Sequence, residues 1–293
     1  MRVVMTGATA GFGLFAAQKL AEAGHDLMIG ARTPAKLPEA ISGKVKAETL
    51  DLDNLASVRR FAESVGASPP IDALILNAGL QLAKPAISAD GYERTFAVNH
   101  LAHYLLLRLL AAKFAPGARV ILTGSGTHDP AEKTPVTPPI HANVEYLAYP
   151  DRDPQQEKRA RQAGFRAYST SKLCNIMTAR EAALRHPDWS VMSFDPGYVP
   201  HTGLGRDNPK WIATLVSYIL PLMMKRDRSS TVPISGQFLA DLALVPKYAH
   251  CAGDYWSVRR PEMISIEPSI LAREADACAK LWDDSARLLG LEP

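Results

Sequence analysis

The chain has 293 residues, of which 47% are apolar and 22% charged, with a formal net charge of +3. This is the composition of an ordinary soluble globular protein, long enough to bury a large core and at the upper size for one domain. The basic residues are dispersed and no Lys/Arg run is interleaved with aromatics, which argues against a nucleic-acid partner.

Residues 2–6 read as a short buried strand that runs into Thr6-Gly7-Ala8-Thr9-Ala10-Gly11-Phe12-Gly13, and a helical pattern over 14–23 follows, stopped by Gly24. Strand, glycine turn and helix form a dinucleotide cradle: glycines admit the backbone to a pyrophosphate, and the helix start offers free N–H groups. Residues 26–31 make the next strand. An acid at its end would hold the ribose hydroxyls of NAD and repel the extra phosphate of NADP. Ala31 and Arg32 stand there instead. A guanidinium clasps phosphate through two hydrogen bonds, so NADP(H) is the favoured cofactor.

A third strand over 45–50 leads to Asp51-Leu52, a helix over 55–65 starts at the N-cap Asn54, and a fourth strand over 71–76 ends in Asn77-Ala78-Gly79. This alternation predicts a parallel sheet covered on both faces. Helical periodicity from 91 to 114 carries Asn99, His100 and His103. An Asn inside an apolar helix is by itself a satisfied core group or a kink. Two histidines three apart without further ligands read as structural, so no metal is expected. A fifth strand over 119–123 ends at Ser125, which lies where α/β proteins bind ligands and lacks the setting of a nucleophile elbow.

Six prolines break the pattern between 127 and 164, an insertion that borders the substrate mouth or is a plain surface excursion. A helix over 165–185 carries Tyr168 and Lys172 four apart, hence on one face. A cation beside a phenol lowers the phenol pKa and suits it to proton exchange with a carbonyl or alcohol oxygen. The strand over 189–194 empties into Pro196-Gly197-Tyr198-Val199. The apolar run in 211–224, followed by Lys225, Arg226 and Arg228, is a substrate-covering helix, a membrane-surface helix, or a core or dimer helix. A helix over 230–244, a last strand over 253–258 and an amphipathic helix over 268–289 close the chain. Cys174, Cys251 and Cys278 form neither a disulfide framework nor a metal spacing and suit a reducing, cytoplasmic compartment. The first apolar run is too short for a signal segment, and none reaches the ~20 residues that span a bilayer.

Taken together in this order, Thr6-Gly7-x-x-x-Gly11-x-Gly13, Asp51, Asn77-Ala78-Gly79, Asn99, Ser125, Tyr168-x-x-x-Lys172 and Pro196-Gly197 make the chain resemble the short-chain dehydrogenase/reductase family. Tyr168-Ser-Thr-Ser-Lys172-Leu-Cys174-Asn175, Thr202-Gly203-Leu204 and Tyr255-Trp256-Ser257 place it nearest the branch of retinol dehydrogenases and light-dependent protochlorophyllide reductases. The resemblance implies a single-domain, Rossmann-type, doubly wound parallel sheet of about seven strands, with a lid at 200–228. It implies that Gly7, Thr9, Gly11, Phe12 and Gly13 cradle the pyrophosphate, that Asp51 and Leu52 border the adenine, and that Asn77, Ala78 and Gly79 line the cleft. Pro196, Gly197 and Val199 would back the nicotinamide. Tyr168 would be the acid/base, Lys172 its activator and ribose holder, Ser125 the substrate anchor, and Asn99 the anchor of a water joining Lys172 to solvent. The expected partner is a small apolar carbonyl or alcohol, with a homodimer and a membrane-surface contact through 211–228 as further expectations. Protochlorophyllide reductases carry a cysteine where this chain has Tyr198, so a C=C reduction of that kind stands as the alternative, beside a non-catalytic NADP(H) sensor.

Overall fold

The computed structural model describes residues 1–200 and 226–293. The central strands are mostly apolar and almost wholly buried, as strands covered on both faces are. β1 (Arg2–Thr6), β4 (Ile71–Leu76) and β6 (Ser190–Asp195) have nearly every residue buried. With β2 (Asp26–Ala31), β3 (Lys46–Thr49), β5 (Phe114–Thr123), β7 (Ala252–Arg259) and β8 (Glu262–Ser265) they form one sheet in the order β3-β2-β1-β4-β5-β6-β7-β8. All neighbours are parallel except β7 and β8. The order reverses between β1 and β4, so a crevice opens there at the carboxyl ends of the strands, where doubly wound sheets bind ligands.

α1 (Gly11–Glu22) and a helix over Val232–Leu244 cover one face, around Leu20, Ile29 and Leu239. α2 (Leu55–Gly66), the stretch from α3 (Arg94–Phe96) to α4 (Ala102–Leu110), and α6 (Ala160–Arg185) cover the other. A short α5 (Val144–Ala148), capped by Asn143, lies between them in sequence. Taking the Val232–Leu244 helix as α7, the chain ends with α8 (Ile270–Arg273) and α9 (Ala275–Leu288).

The eighth strand is absent from the sequence reading, because its hairpin turns at Arg260-Pro261 without the Asn-Gly or Asp-Gly signal of a tight turn. The helix expected to reach residue 114 ends at Leu110, and Phe114 already pairs with Ile71. Between the pairs Ile71–Phe114 and Ala73–Arg119 the register shifts, looping out Pro116 and Gly117, the latter at φ +72°. Proline in a strand is confined to edges and bulges, which is its place here. α6 begins at Ala160, inside the expected irregular segment. Gly164 lies within it, where a Cβ would stand 2.4 Å from the Leu82 carbonyl oxygen, so close packing and not chain breaking explains that glycine. The expected lid at 200–228 and the membrane-surface segment fall mainly on 201–225, outside the described residues. Among the described residues no helix is long and apolar enough to cross a membrane.

α9 packs over α4 and α6. Trp282 is 2% exposed, its ring edge-on to Tyr104 at 5.0 Å, with the Arg108 and Arg185 guanidiniums 5.1 and 5.3 Å from its ring centre. The Tyr104 hydroxyl donates to the Trp282 carbonyl at 2.8 Å, and His100 Nε2 meets the Ser285 hydroxyl at 3.1 Å. Burial pushes His100 down to about 4. Between that value and the ordinary ~6.5, the unfolded chain takes up a proton that the folded chain refuses, so stability falls as pH drops from ~6.5 towards 4. His100→Gln should therefore show a shallower loss of urea-unfolding free energy over that window, by about 1.4 kcal/mol per pH unit. Equal slopes for the two proteins would show that His100 titrates normally in the fold.

Candidate active site

β1 delivers the chain into the glycine turn. Gly7 and Gly11 hold φ +71° and +56°, a region that disfavours side chains. A Cβ at Gly7 would lie 2.6 Å from the Ala78 nitrogen, and one at Gly13 would lie 2.1 Å from the Gly7 carbonyl oxygen. α1 starts at Gly11 with Ala10 as N-cap, no side-chain cap and no acid in its first turn. Its free N–H groups and positive dipole end therefore face the crevice without an internal partner, which fits a dinucleotide pyrophosphate.

A cleft of about 470 Å³ runs along the carboxyl edge of the sheet. Gly7, Thr9, Gly11, Phe12 and Gly13 line its middle. Arg32, Asp51 and Leu52 line one end, and Tyr168, Lys172 and Pro196 the other, with Asn77, Ala78 and Gly79 between. The cleft is thus open, and residues distant in sequence share it. Ser125, Asn99, Gly197 and Val199 are not among the residues that line it. Gly197 turns at φ +69° and donates its N–H to the Asp195 carboxylate at 3.0 Å, while Val199 is buried.

Tyr168 and Lys172 project from consecutive turns of α6, with the ammonium 5.7 Å from the ring centre. Ser125 is the neighbour that favours ionisation of the Tyr168 hydroxyl. Ser125 Oγ accepts from the Thr127 N–H and hydroxyl, at 3.3 and 3.2 Å. Lys172 Nζ donates to the Thr123 carbonyl at 3.1 Å, and Asn175, one turn on, donates to the same oxygen at 3.1 Å. The lowering of the phenol pKa expected from the sequence does not hold in this structure. Burial pushes Tyr168 up to about 12, Ser125 opposes that, and the Asp195 charge adds to it. Burial also pulls Lys172 down to about 8, against the pull of Asp195. Desolvation is the largest cause for both groups.

Asn99 sits in a π-helical turn, Ala97–Leu101, between α3 and α4. Its Oδ1 accepts the Leu80 N–H at 2.8 Å, and its Nδ2 donates to the Leu80 carbonyl at 2.9 Å and to Ser171 Oγ at 3.0 Å. The amide is fully engaged and ties the Gly79-Leu80 wall to α6. The sequence reading missed Leu80, Gln81, Leu82 and Arg94, which also line the cleft. No motif marks them; they become visible only because the chain leaving β4 folds over the crevice. It also missed Asp195, whose carboxylate accepts from Ser257 at 2.8 Å and lies 3.6 Å from Arg259.

The fold and cleft define a doubly wound dinucleotide-binding protein with a Tyr-x-x-x-Lys pair at one end of the site. A family model described as "short chain dehydrogenase" matches residues 1–134. The chain is 33% identical to protochlorophyllide reductase A of Oryza sativa subsp. japonica over 99% of its own length and 80% of that protein. It is 32% identical to a Streptomyces sp. (strain C5) protein named "Putative daunorubicin C-13 ketoreductase DnrU", over 98% of this chain and 92% of that one. Among solved structures, an uncharacterized protein from Mycobacterium paratuberculosis superposes with a TM-score of 0.73 at 26% identity, covering 99% of this chain and 94% of that one. The chain belongs to the short-chain dehydrogenase/reductase family and is an NAD(P)-dependent oxidoreductase.

Gly13→Ala should weaken dinucleotide binding by roughly 5- to 150-fold, because a methyl group 2.1 Å from a carbonyl oxygen forces the cradle open, an overlap worth about 1–3 kcal/mol. Fluorescence titration with nucleotide reads this directly, and wild-type affinity in that variant would mean the turn is not the pyrophosphate seat.

Proposed function

We propose that the protein is an NADP(H)-dependent reductase that interconverts a carbonyl and an alcohol on an apolar substrate. The observation that carries this is the buried Tyr168 hydroxyl, which Ser125 influences and which stands with Lys172 at one end of an open dinucleotide cleft. Bound NADPH supplies the hydride. Tyr168, held protonated by burial, donates its proton to the substrate oxygen. Ser125 bonds the same oxygen, and its own hydroxyl is oriented by Thr127. Lys172, fixed by the Thr123 carbonyl, holds the ribose and restores the phenol proton. Asn99 keeps the cleft wall and α6 in register through Leu80 and Ser171. At the other end Asp51 and Leu52 border the adenine, and Arg32 takes the 2′-phosphate where Ala31 leaves no acid to repel it. Pro196, Gly197 and Val199 back the nicotinamide.

The name of the Streptomyces relative, a ketoreductase, supports carbonyl chemistry. The protochlorophyllide reductase relatives support a second reading, reduction of a C=C bond in an extended apolar ring system. Tyr198 stands where those enzymes carry a cysteine, so the first reading is preferred.

NADPH oxidation across a panel of aldehydes, ketones and quinones, in the dark and in light, separates these readings. Turnover of a carbonyl that falls by roughly 10²–10⁴-fold in Tyr168→Phe is the expected result. Unchanged turnover in that variant defeats the acid/base assignment, and tight NADPH binding with no turnover on any substrate favours the sensor. Arg32→Ala should weaken NADPH by about tenfold or more while NADH changes little, the loss of a charge-assisted phosphate contact. Equal weakening of both cofactors removes the phosphate clasp.

A further inference from the structure

His103 is fully buried in α4 and does not line the cleft, yet its two ring nitrogens are both spoken for. The Thr6 hydroxyl oxygen accepts the N–H groups of Asn77 and Ala78, at 3.0 and 3.1 Å. With both lone pairs taken, that hydroxyl has only its proton left to give, and His103 Nε2 lies 3.0 Å away. The other ring nitrogen, Nδ1, is 3.1 Å from the Asn99 carbonyl oxygen, which can only accept. The ring is therefore neutral, with its proton on Nδ1 and a lone pair on Nε2. A second ring proton would face the Thr6 hydroxyl with no lone pair left to receive it. Burial, helped by the nearby Lys172 charge, pushes His103 down to about 3, in keeping with that single form.

We propose that His103 is a positioning residue of the cofactor cleft, which by accepting the Thr6 proton aims that hydroxyl's lone pairs at Asn77 and Ala78 and so sets the cleft wall. The consequences spread along short contacts. The Asn77 amide donates to the Gly7 carbonyl at 3.1 Å, so the wall is tied to the pyrophosphate turn. Gly7 has no slack against Ala78. On its far side, the His103 Nδ1–H holds the Asn99 turn, whose amide clasps Leu80 in both directions. One imidazole thus braces both ends of the 77–80 segment from beneath, without touching a ligand.

The test uses two amides that each reproduce one half of the ring. Asn at 103 reaches the Nδ1 position and can donate to Asn99, but is too short to accept from Thr6. Gln reaches the Nε2 position and can accept from Thr6. By fluorescence titration, His103→Asn should weaken NADPH binding about tenfold or more, and His103→Gln by no more than about threefold, since a buried hydroxyl left without its acceptor is the costly defect. Thr6→Val, which also orphans the Asn77 and Ala78 N–H groups, should lose at least as much as His103→Asn, and the double variant should be little worse than Thr6→Val alone, because both break one chain of bonds. Equal losses for Asn and Gln, additive losses in the double variant, or wild-type affinity in His103→Asn would each overturn the assignment. Should His103→Asn fail to fold, the ¹⁵N chemical shifts of the His103 ring in the wild-type protein carry the test: a proton on Nδ1 is expected, and a proton on Nε2 overturns the assignment. The readout is binding, so it stands whether or not the carbonyl-reductase reading does.

Discussion

A lysine amine, 3% exposed at the end of a parallel sheet, is the constraint on which the site depends. An ammonium out of water needs acceptors, and the Thr123 carbonyl at the tip of β5 supplies one. Thr123 is also a junction: its carbonyl takes Asn175, and its hydroxyl donates to Asn77 Oδ1 at 3.1 Å. Helix α6 is therefore keyed to the sheet at the strand end that leads to Ser125 and touches the cleft wall. Shift that helix by a turn and the lysine, the tyrosine and the Asn77 wall lose their partners together.

The same burial explains why α6 has no apolar stripe. Every residue from Tyr168 to Ala179 is buried, because the sheet lies beneath the helix and α9 lies above it. In a helix covered on two sides, the Ser169 and Ser171 hydroxyls, the Lys172 ammonium and the Asn175 amide N–H find partners in the Thr137 carbonyl, Asn99 and the Thr123 carbonyl. The segment before α6 thus has a structural part to play: Ser169 donates to Thr137 and Arg166 to the Pro138 carbonyl.

Much of this was readable in the chain, and the reason is local. Gly7, Gly11 and Gly13 recur at a spacing that only a tight turn before a helix explains, and the four-residue step from Tyr168 to Lys172 sets their common face by helix geometry alone. What was not readable depends on tertiary surroundings. Desolvation of Tyr168 and Lys172 reverses the pKa argument drawn from their adjacency. β8 follows a turn without glycine, and Gly164 looks like a helix breaker until Leu82 is seen against it. His103 reads as a core histidine in the sequence, and only the saturated Thr6 hydroxyl gives its ring a direction.

The protonation states have a chemical consequence. Reduction of a carbonyl needs a proton donor at the start, and oxidation of an alcohol needs an acceptor. With the phenol at about 12 and the amine at about 8, the protein at neutral pH holds both groups in their proton-donating forms. Asp195 contributes to this on both sides, raising the phenol and supporting the ammonium. Its own carboxylate is fixed by Ser257, the Gly197 N–H and Arg259, so its charge sits at a constant place relative to α6. For oxidation the phenol would have to shed its proton into a buried site beside that carboxylate. The charges built into this cleft thus favour the protonated phenol.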